Sequence, residues 1–209
     1  MAKSILVTLT ATSCSGKSYL FDYIRDVAQM PCLISTTTRA PRANEIDGRD
    51  YYFISHEESI RLEQEGKLAE LAIYNSNRYG VTTDEFFSKL SEGIAFLIVE
   101  PTGVEHYAKP AVDVGALHMT VYVDVPLDVR LARFRTRAMN DIIKAAGTME
   151  LGEIEKAVNT VLKRQQSMLT EELSWHTAAK WDLTIDGRDT PEKNLELILN
   201  KVGEMAGVA

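Results

Sequence analysis

A chain of 209 residues, 45% hydrophobic and 25% charged, can bury one substantial core and has ordinary globular usage, which excludes fibrous and disordered classes. Its net charge of −7 argues against broad binding to a nucleic-acid backbone. The two cysteines, Cys14 and Cys32, make no disulfide framework, the opening residues lack a secretory apolar stretch, and no apolar run reaches the roughly 18 to 20 residues of a membrane span, so a reduced cytoplasmic protein without membrane association is expected.

The first predicted element is a buried strand at residues 5–9, I-L-V-T-L. Directly after it, residues 11–18 read A-T-S-C-S-G-K-S, close to a P-loop. Such a loop winds its backbone N–H groups around the phosphates of a nucleoside triphosphate, a Lys reaches the terminal phosphates, and a Ser or Thr hydroxyl ligates Mg²⁺. Lys17 and Ser18 are the candidates for those last two roles, and Ser13, Cys14, Ser15, Gly16 and Tyr19 complete the expected ATP-binding set. A helix from Ser18 through Val27, with Leu20, Tyr23 and Ile24 at helical spacing, would put the phosphates at its N-terminus. The first loop glycine is replaced by Ala11, and Cys14 stands where related kinases often carry another.

A short strand follows at residues 32–34. Between residues 35 and 93 the rhythm changes to short alternating pieces, among them 51–54 and 71–74, which predict a small mixed lobe. Thr82 and Glu85 have capping-box spacing and open the helix that closes this lobe at Gly93. Strands are predicted at 96–99 and 120–123, then a helix at 128–137 carrying Arg130, Arg133, Arg135 and Arg137. Residues 140–152 break the pattern before a second helix, about 153–173, with Lys163 and Arg164, so the interval reads as a lid. A last strand at 183–185 precedes a helix opened by Thr190-Pro191. This alternation implies an α/β, P-loop NTPase-type parallel sheet with helices on both faces, and ligands at the carboxyl ends of the strands. One domain is expected: core 1–35, 94–136 and 165–209, inserted mixed α/β lobe 36–93, lid 137–164. The four histidines show no metal-ligand spacing.

Residues 35–53 read S-T-T-T-R-A-P-R-A-N-E-I-D-G-R-D-Y-Y-F. Arg39 and Arg42 supply planar forks for an oxyanion, Pro41 stiffens the turn between them, and Tyr51 adds a hydroxyl, so the segment suggests a phosphomonoester site. With the P-loop, this segment resembles the guanylate kinase family, whose pattern here is roughly S-x-T-T-R-x-P-R-x-G-E-x-x-G-x-D-Y-x-F. The resemblance implies that Arg39, Arg42, Tyr51 and Tyr79 hold the acceptor's phosphate. It also implies that Ser35, Glu70, Val81 and Glu100 select its base, and that Arg133, Arg137 and Arg164 act on ATP from the lid. Lys17, Arg137 and Arg164 would then be the catalytic cations.

Three departures accompany the likeness. The family's Y-G-S/T becomes Tyr79-Gly80-Val81, one of two acids becomes Ile98, and an Asp becomes Glu100. Together with the longer lid interval, they are the marks of a divergent member, a viral one among the sources considered. The implied activity is ATP- and Mg²⁺-dependent phosphorylation of GMP or dGMP by a monomer or homodimer. The alternatives are a kinase of the same build for another or modified (deoxy)nucleoside monophosphate, and a non-catalytic binding module of the same fold. The intact Gly16-Lys17-Ser18 argues against the last.

Overall fold

The computed structural model describes residues 4–42, 45–74, 76–147 and 150–207. Met1-Ala2-Lys3 at the start, Ala43-Asn44 in the arginine-bearing segment and Thr148-Met149 in the lid interval lie outside the described residues.

Alternation along β1 (Ile5–Ala11) sets up a two-sided core, because successive side chains of a strand point to opposite faces. Ile5, Val7, Leu9 and Ala11 pack with Leu20 and Ile24 after the P-loop and with Leu195, Ile198 and Val202 near the C-terminus. Leu6 takes the other face with Leu33, Phe86, Leu90, Leu97 and Ala111. The expected parallel sheet is present in the order β6 (Ile94–Ile98), β1, β7 (Leu117–Asp124) and β8 (Leu183–Asp186), with every neighbour parallel. α1 (Lys17–Asp22) and α7 (Pro191–Ala206) cover one face. α3 (Thr83–Ser91) and α4 (Pro101–Asp113) cover the other.

Residues 32–34 do not form the predicted strand. Only Cys32 bridges to Phe96. The next amide, Leu33 N, donates to Phe96 O at 2.8 Å, but Ile34 N donates to Glu85 Oε1 at 3.0 Å, so the chain is drawn from the sheet toward the inserted lobe. Glu85 is the residue expected to complete the capping box. Thr82 does accept from Glu85 N at 3.3 Å, while the carboxylate serves Ile34 instead of the cap.

The lobe is a four-stranded mixed sheet in the order β3 (Tyr52–Phe53), β2 (Thr36–Thr37), β5 (Asn77–Thr82) and β4 (Leu68–Tyr74). β2 and β3 are parallel, and the other pairs are antiparallel. α2 (His56–Gln64), capped by Ser55 accepting from Glu58 N at 3.0 Å, connects β3 to β4.

Two helical expectations need correction. The helix after the P-loop starts at Lys17 rather than Ser18, and from Tyr23–Val27 it continues with π-helical bonding. In the lid, α5 (Leu127–Ala146) runs straight through residues 140–146, which were expected to break it. Before Gly147 that segment holds neither Gly nor Pro to stop the helix, and Lys144, Ala145 and Ala146 are strong helix formers that carry it to its end. α6 (Leu151–Leu169) returns beside it and ends earlier than expected, in a 3₁₀ segment at Glu171–Thr177. Phe134, Ala138 and Met168 are buried between the two helices.

Candidate active site

The P-loop lies at the carboxyl end of β1, the end at which open α/β sheets bind ligands. Cys14 takes a left-handed backbone (φ 63), which costs an L-residue with a Cβ about 1 to 2 kcal/mol. That is why glycine suits this position and why Cys14 is a strained substitute. The loop is pinned from below. Ser13 donates its N–H and its hydroxyl to the two oxygens of Glu172, at 2.8 and 2.6 Å. Glu172 in turn meets Arg130 at 3.3 Å, and both side chains are buried. Arg130 Nε also donates to Val125 O at 3.1 Å. From above, the loop after β8 presses on Ser15. A Cβ on Gly187 would lie 2.2 Å from Ser15 O, so only glycine fits there.

The loop separates two hollows. On one side a cleft of about 480 Å³ is lined by Lys17 and Ser18 together with Ser35, Arg39, Arg42, Tyr51, Glu70, Tyr79, Glu100 and Arg164. On the other, a hollow of about 380 Å³ is lined by Cys14, Gly16, Tyr19, Arg133, Arg137, Gly187, Arg188 and Asp189. Arg133 reaches over it and donates to Cys14 O at 3.1 Å. Burial lowers the Lys17 ammonium to about 8, against the attraction of Glu100 and Glu172. Loss of solvation raises the Glu100 carboxyl above its ordinary value, and Lys17 offsets part of that shift. An ammonium that has given up so much hydration is poised to meet a stronger anion than a single carboxylate.

In the cleft Arg39 lies over Tyr51, 5.5 Å from the ring centroid, and donates to Glu45 Oε1 at 2.8 Å. The Arg42 amide donates to the other Glu45 oxygen at 2.7 Å. Glu45 therefore gathers both arginines as a stand-in anion. Their forks match a phosphate in the same way. Tyr79 meets Tyr51 edge to face, at 6.1 Å between centroids.

Glu70 is placed by backbone irregularity. A register shift between Leu68 and Glu70 bulges β4, and bulges re-aim side chains beside sites. Gly80 makes room for it, since a Cβ there would lie 2.5 Å from Glu70 O. The carboxylate is almost fully enclosed, with 6% of the side chain exposed. Tyr107 donates to it at 2.8 Å. Burial raises Glu70 above the usual carboxylate range, and the bond from Tyr107 opposes that shift.

Most of the sequence-predicted residues thus meet around the P-loop. Three groups are placed differently. Val81 does not line the cleft; it is wholly buried in the apolar cluster with Leu33 and Phe86, so its side chain serves packing. Arg133 and Arg137 line the smaller hollow, whereas Arg164 lines the cleft. Ser15 turns its hydroxyl inward to Thr12 at 2.7 Å. Sequence reasoning missed Glu172, Arg130 as its partner, Glu45, Gly187 and Tyr107. Of these only Glu45 carried a local signal, three residues after Arg42 in the arginine-bearing segment.

Comparison with known proteins adds an independent measure. The family model described as guanylate kinase matches residues 3–171. A guanylate kinase of Synechococcus sp. (strain CC9311) is 30% identical over 194 residues, covering 92% of both chains. One of Rubrobacter xylanophilus is 37% identical over 99 residues, 47% of this chain and 52% of that one, so the match there spans about half the relative's length. A crystal structure of guanylate kinase from Anaplasma phagocytophilum aligns with a TM-score of 0.63 at 18% identity, covering 97% of this chain and 87% of the other, a likeness of fold. The family match over most of the chain, on a parallel sheet that ends in this P-loop, establishes that the protein belongs to the guanylate kinase family.

Proposed function

We propose that the protein transfers the γ-phosphoryl group of ATP to a guanine nucleoside monophosphate, GMP or dGMP, releasing ADP and GDP or dGDP. The observation that carries this reading is one cleft holding the P-loop Lys17, the two arginine forks and the enclosed carboxylate of Glu70. Phosphoryl transfer depends on alignment and charge neutralisation more than on covalent chemistry. Arg39, Arg42, Tyr51 and Tyr79 hold the acceptor phosphate, Glu70 and Ser35 read the base, and Lys17 steadies the terminal phosphates. Arg133 and Arg137 reach the donor from the smaller hollow, and Arg164 closes on the transferring group from α6. A monophosphate is already an anionic nucleophile near neutral pH, so no general base is needed. Closure of the 36–93 lobe and the 137–164 lid on the core would exclude water that could hydrolyse ATP.

Mg²⁺ takes oxygen ligands and usually one or two protein groups, keeping water and phosphate for the rest. The Ser18 hydroxyl and the Glu100 carboxylate, which share the cleft with Lys17, fit that demand. Bound there, the ion would neutralise charge on the β and γ oxygens. Among the described residues no helix is long and apolar enough to cross a membrane. The free thiols of Cys14 and Cys32 suit the reducing cytoplasm in which we place the reaction.

A coupled ADP-release assay across ribo- and deoxynucleoside monophosphates tests the reading. GMP or dGMP should give the highest kcat/KM. A pyrimidine monophosphate as best substrate would overturn the base assignment, and binding without turnover on any of them would mark a binding module.

Arg39→Ala should raise the acceptor KM about ten- to a hundredfold, the scale of a lost charge-assisted pair, while the ATP dissociation constant stays within about threefold. Arg42→Ala should do the same more weakly, because 69% of its side chain is exposed against 18% for Arg39. Titration of each variant with ATP alone, beside acceptor kinetics, checks this. A larger loss in ATP affinity would mean that the two sites are assigned the wrong way round.

A further inference from the structure

Tyr107 is 3% exposed and lies on α4, the helix that packs behind β4. Its ring stacks on Phe86, with centroids 6.4 Å apart and 18° between planes, so the position of its hydroxyl is fixed by packing. That hydroxyl donates to Glu70 Oε2 at 2.8 Å. The neighbouring His106 brings Nδ1 to 3.5 Å from the other oxygen, Oε1. A carboxylate offers about four acceptor sites, two on each oxygen. With one taken on each side, one remains on each oxygen for the cleft that Glu70 lines.

We propose that Tyr107, assisted by His106, is a specificity-setting positioning residue: it clamps Glu70 from behind so that the carboxylate presents both oxygens to a two-donor edge. In a 6-oxo-2-aminopurine that edge is N1–H together with the 2-amino group. This inference rests on the guanine reading above. An unclamped glutamate would rotate and serve a single donor nearly as well, so what the clamp supplies is discrimination in favour of the 2-amino group. A residue that merely fills the core would affect all acceptors alike.

The experiment is steady-state kinetics with saturating ATP and either GMP or IMP, which differ only in the 2-amino group, on the parent, Tyr107→Phe and His106→Ala. Tyr107→Phe should lower the GMP-to-IMP ratio of kcat/KM about tenfold, chiefly through the KM for GMP, with the KM for ATP within about twofold of the parent. His106→Ala should lower the same ratio about two- to threefold, since 51% of its side chain is exposed and its contact is longer. An unchanged ratio in Tyr107→Phe, or equal losses with both acceptors, overturns the proposal. Should that variant fail to fold, an unchanged ratio in His106→Ala overturns it instead. A parent that prefers GMP while Tyr107→Phe leaves the ratio alone removes only the role of Tyr107. A parent that favours a base without the 2-amino group removes the guanine reading, and this inference with it.

Discussion

Lys17→Ala is expected to lose about a thousandfold or more in kcat while its unfolding midpoint stays within a few degrees of the parent's. The two halves of this result have one cause. Lys17 stands in a cleft where burial lowers its ammonium to about 8, so the folded protein holds that charge at a cost and gains little stability from it. Removing the side chain relieves the cost. The transferring phosphoryl group, in contrast, loses a cation where water is excluded and nothing else on the loop replaces it. Single-turnover kinetics with thermal unfolding decides the matter, and near-parental turnover would mean that this loop does not carry the reaction.

Glu172→Ala should be the most destabilising single change at the site. It strands Arg130 as a buried, uncompensated charge and leaves two Ser13 donors without their acceptor. Breaking one side of such a pair costs about 3 to 5 kcal/mol, which for a chain of this size is a fall of roughly 6 to 20 °C in Tm. ATP affinity should fall as well, because the P-loop loses its lower support. Pairing Glu172→Met with Arg130→Met should recover part of the stability without the ATP affinity, since apolar groups replace the ion pair but cannot hold Ser13. A Glu172→Ala protein that melts with the parent would show that the loop is held by other contacts.

Parts of the molecule that lie together in the chain were legible before the structure. Strands at the middle of the sheet are buried on both faces and so read as unbroken apolar runs. The P-loop and the 35–53 segment carry their chemistry on neighbouring residues, so motif spacing picked out Lys17 with Ser18 and Arg39 with Arg42 and Tyr51, and the family resemblance joined the two into one site. What failed were judgements of continuity and of distance. Residues 140–146 look like a break because the apolar stripe of the preceding turns does not continue regularly through them, and Ile143 does face solvent, yet a helix does not need a core to continue. The stretch at 32–34 has strand composition, but Glu85 competes for the Ile34 amide, and no local pattern reports a carboxylate that distant in the chain. The same holds for Glu172 beneath Ser13 and Tyr107 behind Glu70, contacts made only once helices have packed. Val81 was legible as a residue and misplaced as a contact: it pairs with Glu70 across the hairpin but is wholly buried with Leu33 and Phe86, short of the cleft.

The contact of Gly187 with Ser15 also fixes an order of events during translation. β1 lies between β6 and β7, so the strand that leads into the P-loop has no sheet partner until the chain has been made through residue 98, and its second edge stays open until residue 124. At about 5 to 20 residues per second the first of these waits is on the order of ten seconds, during which an apolar strand has both edges open. The loop itself gains its roof only once Gly187 has been made. Early binding of a nucleotide is therefore not expected to rescue the nascent chain. Ribosome-bound chains halted before β8 should remain open to protease with or without ATP.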